Sequence, residues 1–252
     1  MVNSKGIATP NFQILIDNGV IVGGVSVQNI FITKTFPNHY SLVTGLYEES
    51  HGIVANEFYD PIFDETFAIE TSNDIKWWNG TGTARVEPVW VTNDAEGDEH
   101  HASGVYFWPG SEVKGQQPRY FKSPFNMSVP FADRVNTVAG WFTREDIPIN
   151  FGVIYYHEPD ETGHQHGPNS TEMSNMIAEL DKDIGYLISV LKEKHIFDEL
   201  NIIITSDHGM TTMHSDVFLD DHIDPSLYRW FGNSPVANIL PKEGILVVYC
   251  NF

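Results

Sequence analysis

Two continuous apolar runs, separated by one long helical pattern, restrict the folds open to this chain. The runs are INFGVIYY at residues 149–156 and NIIITS at residues 201–206. Between Ser174 and Ile196, apolar residues recur at helical spacing along one stripe. A strand–helix–strand unit of this kind joins parallel strands through a right-handed crossover. We therefore predict an α/β fold with a mostly parallel central sheet and helices on both of its faces.

Further elements are predicted on either side of this unit. A first helix is expected to begin at Pro10, with Thr9 as its cap, and to end at Gly19. The other predicted strands are residues 27–32, 88–92, 102–108 and 234–240, and the other predicted helices are residues 37–45 and 131–142. Because no repeat or linker interrupts the pattern, we expect a single domain over residues 1–252.

The composition excludes some classes of partner. The chain has 34 Asp and Glu residues against 14 Lys and Arg residues, which gives a formal net charge of −20. Nucleic-acid polymers are bound through basic surfaces, so they are not expected partners. A small anionic substrate would need a local positive charge, such as a metal ion, to offset this field. Cys250 is the only cysteine, so the chain cannot form an internal disulfide.

Polar residues follow both apolar runs where the predicted strands end. Asp160 and His164 follow the first run, and Asp207 and His208 follow the second. The carboxyl ends of neighbouring parallel strands meet at one edge of a sheet. Carboxylate and imidazole groups are ligands that zinc accepts. A solvated loop would explain either pair alone, but two pairs at one edge indicate a dinuclear metal site.

Thr35 lies where the predicted strand at residues 27–32 gives way to the predicted helix at residues 37–45. A threonine before a helix is ordinarily an N-cap. A hydroxyl beside helix-start N–H groups and a divalent cation is also a candidate nucleophile, because coordination lowers its pKa.

Three stretches, in this order and spacing, resemble the ectonucleotide pyrophosphatase/phosphodiesterase family of the alkaline-phosphatase-like superfamily. They are TKTFPNHYSLVTGLYEESHGIVAN, EPDETGHQHGP and TSDHGM, and the likeness extends over about residues 7–244. The chain is most similar to single-domain, membrane-tethered members, because no cysteine-rich modules precede the match. The resemblance implies hydrolysis of phosphodiester or pyrophosphate bonds in extracellular nucleotides or dinucleotides.

The resemblance also implies two zinc ions and a covalent threonyl intermediate. Thr35 is the expected nucleophile and, with Asp207 and His208, a ligand of the zinc that activates it. Asp160 and His164 are expected to hold the second zinc, which activates water.

Substrate contacts are implied in the same way. Asn56 is expected to hydrogen-bond a non-bridging phosphate oxygen, together with the backbone N–H of Phe36. Phe36 and Phe121 are expected to hold a nucleobase between their rings, although the match at Phe121 could slip to Tyr120. Ordinary core packing is the alternative for both rings.

Both chain ends depart from the family pattern. Residues 1–6 lack the family's strand ending in Asp-Gly, and residues after Gly244 lack a family histidine. Each zinc site is therefore expected to be one ligand short, and residues 1–252 alone, as a truncated form of a normal enzyme, to be inactive. His39 and His51, which lie inside matched motifs, are expected to be structural.

The resemblance places the complete protein outside the cell. It implies a signal peptide and a C-terminal membrane anchor, neither of which is visible in this sequence. The complete protein is expected on the extracellular face of the plasma membrane or in secreted form. The sequons at Asn79, Asn126 and Asn169 would then accept N-glycans.

Two other functions remain open at this stage. The same fold could serve as a non-catalytic binding or adhesion module, which the absent ligands favour and the intact motifs disfavour. A related esterase could act on phospholipid or choline-phosphate esters, since flat aromatic rings also hold lipid head groups.

Overall fold

The structure is a computed structural model that describes residues 6–23, 27–69, 73–81, 86–97, 101–233 and 235–245. Its helices are α1 (Pro10–Asp17), α2 (Thr35–Thr44), α3 (Glu48–His51), α4 (Ile75–Trp78), α5 (Val89–Ala95), α6 (Phe131–Phe142), α7 (Asp160–His166) and α8 (Thr171–Glu193). Its strands are β1 (Glu57–Asp60), β2 (Glu65–Ala68), β3 (Ser103–Tyr106), β4 (Tyr120–Lys122), β5 (Phe151–Ile154), β6 (Tyr228–Asn233) and β7 (Val236–Pro241). Short 3-10 helices cover Phe197–Glu199, Leu219–Asp221 and Pro225–Leu227. None of the helices described is both long and apolar enough to cross a membrane.

A three-stranded parallel sheet with the order β4-β3-β5 carries the framework. Gly104 on β3 stands opposite Gly152 on β5. A Cβ added to Gly104 would lie 2.5 Å from the ring of Trp141, and one added to Gly152 would lie 2.7 Å from the ring of Phe142. The two glycines therefore let the aromatic side chains of α6 rest directly on the strands.

Helices cover both faces of this sheet, as the sequence predicts. On one face, Val105 of β3 joins a cluster of buried aromatic residues that includes Tyr40, Phe67 and Trp78. On the other face, α6 packs on β3 and β5 and is itself covered by α8. The carboxyl ends of β3 and β5 are thus held at one edge between two packed layers.

Most of the predicted elements are present. The predicted helices are confirmed as α1, α2, α6 and α8, and three of the predicted strands are confirmed as β3, β5 and β7. Strand β7 pairs antiparallel with β6, and β1 pairs antiparallel with β2, so two hairpins flank the parallel sheet. The sequence pattern did not predict β1, β2, β4, β6, α3, α4 or α7.

The predicted strand at residues 88–92 is wrong, because this stretch begins helix α5. Pro88 is the N-cap residue, and Trp90 is fully buried with its indole N–H donating to Gln116 O at 2.7 Å. Tertiary packing of the indole therefore overrides the strand preference of the valines that flank it.

The predicted buried strands at residues 27–32 and 201–206 are also absent from the sheets described. Phe31 is 83% exposed and Ile203 is 87% exposed. Residues 201–206 make no backbone–backbone hydrogen bond within the described part of the chain. An apolar run becomes a buried strand only where a neighbouring strand pairs with it, and no described strand does so here. The expected strand–helix–strand unit is thus present only as β5, α8 and an unpaired segment.

The cap of α1 also differs from the prediction. The side chain of Thr9 makes no capping hydrogen bond. Instead, the buried carboxylate of Asp181 on α8 accepts the backbone N–H groups of Asn11 and Phe12 at 3.0 and 2.9 Å. It also accepts the side-chain amide of Asn11 at 2.8 Å. A residue 170 positions away therefore fixes the start of α1.

Substituting Asp181 by alanine should undock α1. The change leaves helix-start N–H groups without an acceptor, and we expect a loss of about 3 kcal/mol in the free energy of unfolding. Urea unfolding of Asp181→Ala and of the exposed control Asp198→Ala measures the difference. Equal stability of the two variants would show that Asp181 is not the cap.

Because His51 is buried, we expect the free energy of unfolding to depend on pH. The ring is fully buried, its Nδ1 accepts the Ile53 N–H at 3.1 Å, and its Nε2 lies 2.8 Å from Ser41 Oγ. A neutral ring that accepts at Nδ1 carries its proton on Nε2 and donates it to Ser41. Burial lowers the pKa of His51 to about 4.

Because the unfolded ring has a pKa of about 6.5, the unfolded chain binds more protons than the folded chain between pH 6.5 and 4. The stability tied to neutral His51 is complete above pH 6.5 and is lost as the pH falls through this window, by at most about 3 kcal/mol. Urea unfolding at pH 7 and pH 4.5 should show a smaller pH effect in His51→Gln than in the wild type. An unchanged pH effect would refute this assignment.

Candidate active site

Three residues singled out by the sequence, Thr35, Phe36 and Asn56, meet at the start of helix α2. Thr35 is its first helical residue and Lys34 is the N-cap, so the hydroxyl of Thr35 is not the cap. The N–H of Phe36 donates to Asn56 Oδ1 at 2.9 Å. This contact holds the Asn56 side chain next to Thr35 and leaves the Asn56 Nδ2–H groups as donors for an anion, while the Phe36 N–H is taken up by Oδ1.

His39, one turn further along α2, joins this helix start to three other parts of the chain. Its Nδ1 lies 2.7 Å from Thr35 O and 3.4 Å from Asp207 Oδ2. Its ring meets the edges of Trp108 and Tyr155 at 4.6 and 5.0 Å between centroids. Since a carbonyl only accepts, the Nδ1–H donates to Thr35 O, with Asp207 as a weaker second acceptor. Burial lowers the pKa of His39, which favours the neutral ring.

Asp160 and His164 lie one turn apart on α7, which begins directly at Asp160. Asp160 Oδ1 lies 3.5 Å from His164 Nε2 and is buried without a hydrogen bond. Burial raises the pKa of the Asp160 carboxyl, while His164 opposes this shift. Asp160 Oδ1 therefore keeps a lone pair free on the side that faces the imidazole of His164.

Asp207 and His208, which are adjacent in sequence, form a second carboxylate–imidazole pair on the segment after residue 206. Asp207 Oδ1 accepts the backbone N–H of His208 at 3.0 Å, and Asp207 Oδ2 lies 3.3 Å from His208 Nε2. His208 Nδ1 is 3.0 Å from Gly209 O. If Nδ1 donates to that carbonyl, the neutral ring presents a lone pair on Nε2 to the carboxylate.

The two pairs lie within electrostatic range of each other. Both Asp207 and His208 influence the pKa of Asp160. Burial raises the pKa of Tyr155, and Asp207 and Asp160 raise it further. Tyr155 follows β5 directly, so the two donor pairs flank the carboxyl end of that strand.

The donor chemistry of each pair fits zinc, but each pair offers only two donors. Carboxylate oxygen and imidazole nitrogen are suitable ligands, and the unbonded Asp160 Oδ1 has a lone pair to give. Within the residues described, no three His, Cys, Asp or Glu side chains are grouped closely enough to hold a metal ion. The expectation that each site is one ligand short concerns the two chain ends, and residues 1–5 and 246–252 lie outside the described residues.

Of the two rings predicted to hold a nucleobase, Phe36 has aromatic neighbours in the structure. Phe36 packs against the rings of Phe67 and Trp78 at 6.4 and 6.0 Å. Phe121 is paired in register with Val105, so its side chain lies on the same face of the sheet as this aromatic cluster. That placement leaves the role of Phe121 a prediction.

Tyr120, the alternative to Phe121 in the predicted clamp, has its side chain on the opposite face of the sheet. Its ring stacks on Trp141 at 6.0 Å, and its hydroxyl donates to Ile147 O at 3.0 Å. Successive residues of a strand face opposite sides of a sheet, so Tyr120 belongs to the packing on the α6 side.

The β6–β7 hairpin is a part of the site that sequence reasoning missed. Lys34 Nζ donates to Asn233 Oδ1 at 2.5 Å. A Cβ on Gly232 would lie 3.3 Å from Glu57 O. The hairpin turn therefore touches the residues directly next to Thr35 and Asn56. The lysine inside the TKTF stretch was the sequence signal for a cation at this position.

A buried arginine at the end of β5 was also missed. The Arg134 guanidinium donates to Tyr155 O at 2.7 Å and to Val129 O at 2.8 and 3.1 Å. It stacks over the rings of Phe107 and Tyr156 at 5.1 and 4.9 Å. These contacts fix the point where the chain leaves the sheet towards Asp160.

The three sequon asparagines, Asn79, Asn126 and Asn169, are all exposed. Their exposure is compatible with the predicted modification and does not test it.

Replacing His39 by leucine should weaken the start of α2. Leucine cannot donate to Thr35 O, and we expect the free energy of unfolding to fall by about 1–3 kcal/mol. His39→Asn is the matched variant, because its side-chain N–H can occupy the place of Nδ1–H. Urea unfolding should rank the wild type above His39→Asn and His39→Asn above His39→Leu. Equal losses in both variants would mean that the donated hydrogen bond does not matter.

The sequence matches a family model described as Type I phosphodiesterase / nucleotide pyrophosphatase over residues 3–249. Human ectonucleotide pyrophosphatase/phosphodiesterase family member 5 is 45% identical over 244 residues, which are 94% of this chain and 49% of that protein. Human bis(5'-adenosyl)-triphosphatase ENPP4 is 43% identical over 250 residues, which are 97% of this chain and 53% of that protein. The chain spans about half the length of these relatives.

Solved structures agree with the sequence matches. Murine ENPP5, as an inactive threonine-to-alanine variant in complex with AMP, matches with a TM-score of 0.85 at 45% identity. The match covers 94% of this chain and 62% of that chain. Human ENPP5 matches with a TM-score of 0.85 at 43% identity, covering 96% of this chain and 63% of that chain.

Proposed function

Because the chain belongs to the Type I phosphodiesterase / nucleotide pyrophosphatase family, we propose that it is the catalytic part of a nucleotide phosphodiesterase with Thr35 as nucleophile. The observation that carries the proposal is the start of α2. Thr35 lies there beside the Phe36–Asn56 amide pair, and His39 links the same turn to Asp207.

The residues at the start of α2 support a two-step displacement at phosphorus. Thr35 Oγ forms a bond to phosphorus as the bond to the leaving group breaks, which leaves the nucleotide attached to Thr35. Water then breaks the Thr35 ester and releases a nucleoside monophosphate. The Asn56 side-chain N–H groups donate to the phosphate oxygens that gain charge in each step, and the Phe36 N–H would join them on exchanging its acceptor, Asn56 Oδ1, for a phosphate oxygen.

Lys34 adds positive charge next to the nucleophile in a chain whose net charge is −20. Zinc, held by Asp160 and His164 and by Asp207 and His208, would neutralise phosphate charge and lower the pKa of hydroxyl nucleophiles. A polyphosphate bridge between two nucleosides carries the negative charge that this arrangement attracts, and ENPP4 is named for a substrate of this kind. We therefore favour a nucleotide or dinucleotide substrate, and a free nucleotide over a nucleic-acid polymer.

An enzymatic role explains the site better than a binding module on the same fold. The motif residues are intact, and His39 links the turn that begins at Thr35 to Asp207, an arrangement for which a non-catalytic module has no need. The AMP complex of murine ENPP5 supports a nucleotide over a lipid head group. An extracellular, glycosylated, membrane-associated protein is part of the same proposal, and the exposed sequons support it.

Substituting Thr35 by alanine should abolish turnover. The protein, expressed with any flanking residues its gene encodes, is assayed with a nitrophenyl ester of a nucleoside monophosphate at saturating zinc. We expect activity to fall by at least about 10³-fold, because the nucleophile is removed while the amide donors remain. Thr66→Ala, at an exposed position on β2, serves as the control. Turnover of Thr35→Ala within tenfold of the control would rule out the threonyl mechanism.

Metal retention provides an independent test. With two donors per pair among the described residues, residues 1–252 alone should bind zinc or cobalt weakly, and less than stoichiometric metal should survive dialysis. Asp207→Asn should lower the residual affinity about tenfold or more, and the exposed control Asp216→Asn should not. Near-stoichiometric metal in the 252-residue chain would show that another side chain completes a site.

A further inference from the structure

The two donor pairs are carried by segments of different structure. Asp160 and His164 lie on α7, whereas residues 201–210 contain no helix or strand and make no backbone–backbone hydrogen bond to the rest of the described chain. Side chains must therefore fix the segment that carries Asp207 and His208. Ile202 packs in the cluster between α6 and α8, and His39 contacts Asp207, but neither reaches α7.

Met210 makes the missing contact. A Cβ added to Gly163 on α7 would lie 2.3 Å from Met210 Sδ and 2.9 Å from Met210 Cε. The same position would lie 3.0 Å from Cε of the buried Met173 on α8. The thioether of Met210 thus fills the space that a side chain at residue 163 would take.

Nothing in the backbone explains the glycine at residue 163. It lies inside α7, its φ is not positive, and glycine in a helix costs about 1 kcal/mol relative to alanine. Gly163 is buried and lies between Asp160 and His164 on the same helix. The space it leaves is occupied by a residue two positions after His208.

We propose that Met210 is a positioning residue, whose thioether seated on Gly163 sets the spacing between the Asp160–His164 pair and the Asp207–His208 pair. This inference rests on the proposed function for its catalytic consequence, although the contact itself does not. Methionine suits the role, because its unbranched, polarisable side chain fills an irregular gap between two segments.

The test is a double-mutant cycle with Gly163→Ala, Met210→Ala and the double variant, each in the protein expressed with any flanking residues its gene encodes. We expect Gly163→Ala to displace Met210 and to lower metal affinity and kcat by about 10- to 100-fold, the range for residues that support a ligand. Met210→Ala, which introduces no overlap, should produce a similar loss. In the double variant, Gly163→Ala should add little to Met210→Ala, because the severe overlap with the Met210 thioether is gone and only the Met173 Cε, 3.0 Å from the added Cβ, has to shift slightly.

Two matched controls separate positioning from general effects of the substitutions. Gly140→Ala places a methyl group on α6 where a Cβ meets nothing within 4 Å. Met127→Ala truncates a methionine that is 49% exposed. Both should leave metal affinity and kcat within twofold of the wild type. A Gly163→Ala variant that behaves like Gly140→Ala, or that costs as much in the Met210→Ala background as alone, would overturn the proposal.

A readout independent of catalysis keeps this inference distinct from the proposed function. In imidazole NMR spectra, the His164 and His208 resonances should both move in Gly163→Ala, and Gly140→Ala should leave them in place. If the wild type neither binds metal nor hydrolyses the ester, the proposed function fails, and movement of these resonances still supports the positioning role. Resonances that stay unmoved would overturn the positioning role whatever the activity.

Discussion

The buried imidazole of His39 is the contact on which the candidate site depends. One nitrogen donates to the carbonyl of Thr35, and the same nitrogen lies near the carboxylate of Asp207. The ring faces meet Trp108, which follows β3, and Tyr155, which follows β5. The start of α2, two strand ends and the segment after residue 206 therefore share one small, buried side chain. Because burial lowers the pKa of this ring, the neutral form is favoured, and it connects these segments without adding a buried charge.

The rest of the fold holds the partners of His39 in place. Paired glycines on β3 and β5 let α6 lie close to the sheet, and Arg134 ties the end of β5 to the loop before α6. On the opposite face, the hydroxyl of Tyr40 donates to Trp78 O at 2.6 Å inside the aromatic cluster. The β6–β7 hairpin adds Asn233 beside Lys34. These packed layers hold the start of α2 and the Asp160–His164 pair on α7, while Asp207 is joined to the start of α2 through His39.

The sequence predicted local features well and partnerships less well. The end of α2 at Gly45 was predicted correctly from the local sequence, whereas its start lies at Thr35 rather than at Pro37 and the N-cap is Lys34 rather than Thr35. The strand predicted at residues 201–206 is absent. An apolar run indicates that a segment favours burial, but it does not show whether a neighbouring strand is available to pair with it. The cap of α1 was assigned to Thr9, yet the acceptor is Asp181, and no local pattern signals a contact over that distance. His39 was expected to be structural, and the structure adds that its contacts reach the candidate nucleophile and a candidate ligand.

The central claim is that Thr35 attacks phosphorus, and trapping the intermediate tests it most directly. The protein, with any flanking residues its gene encodes, is mixed with a nucleotide ester at saturating zinc, quenched in acid within the first turnover, digested and examined by mass spectrometry. The account predicts a mass increase equal to one nucleoside monophosphate on the peptide that contains Thr35, with fragmentation placing it on that residue. Product formation with no adduct on Thr35, or with the adduct on another residue, would contradict it.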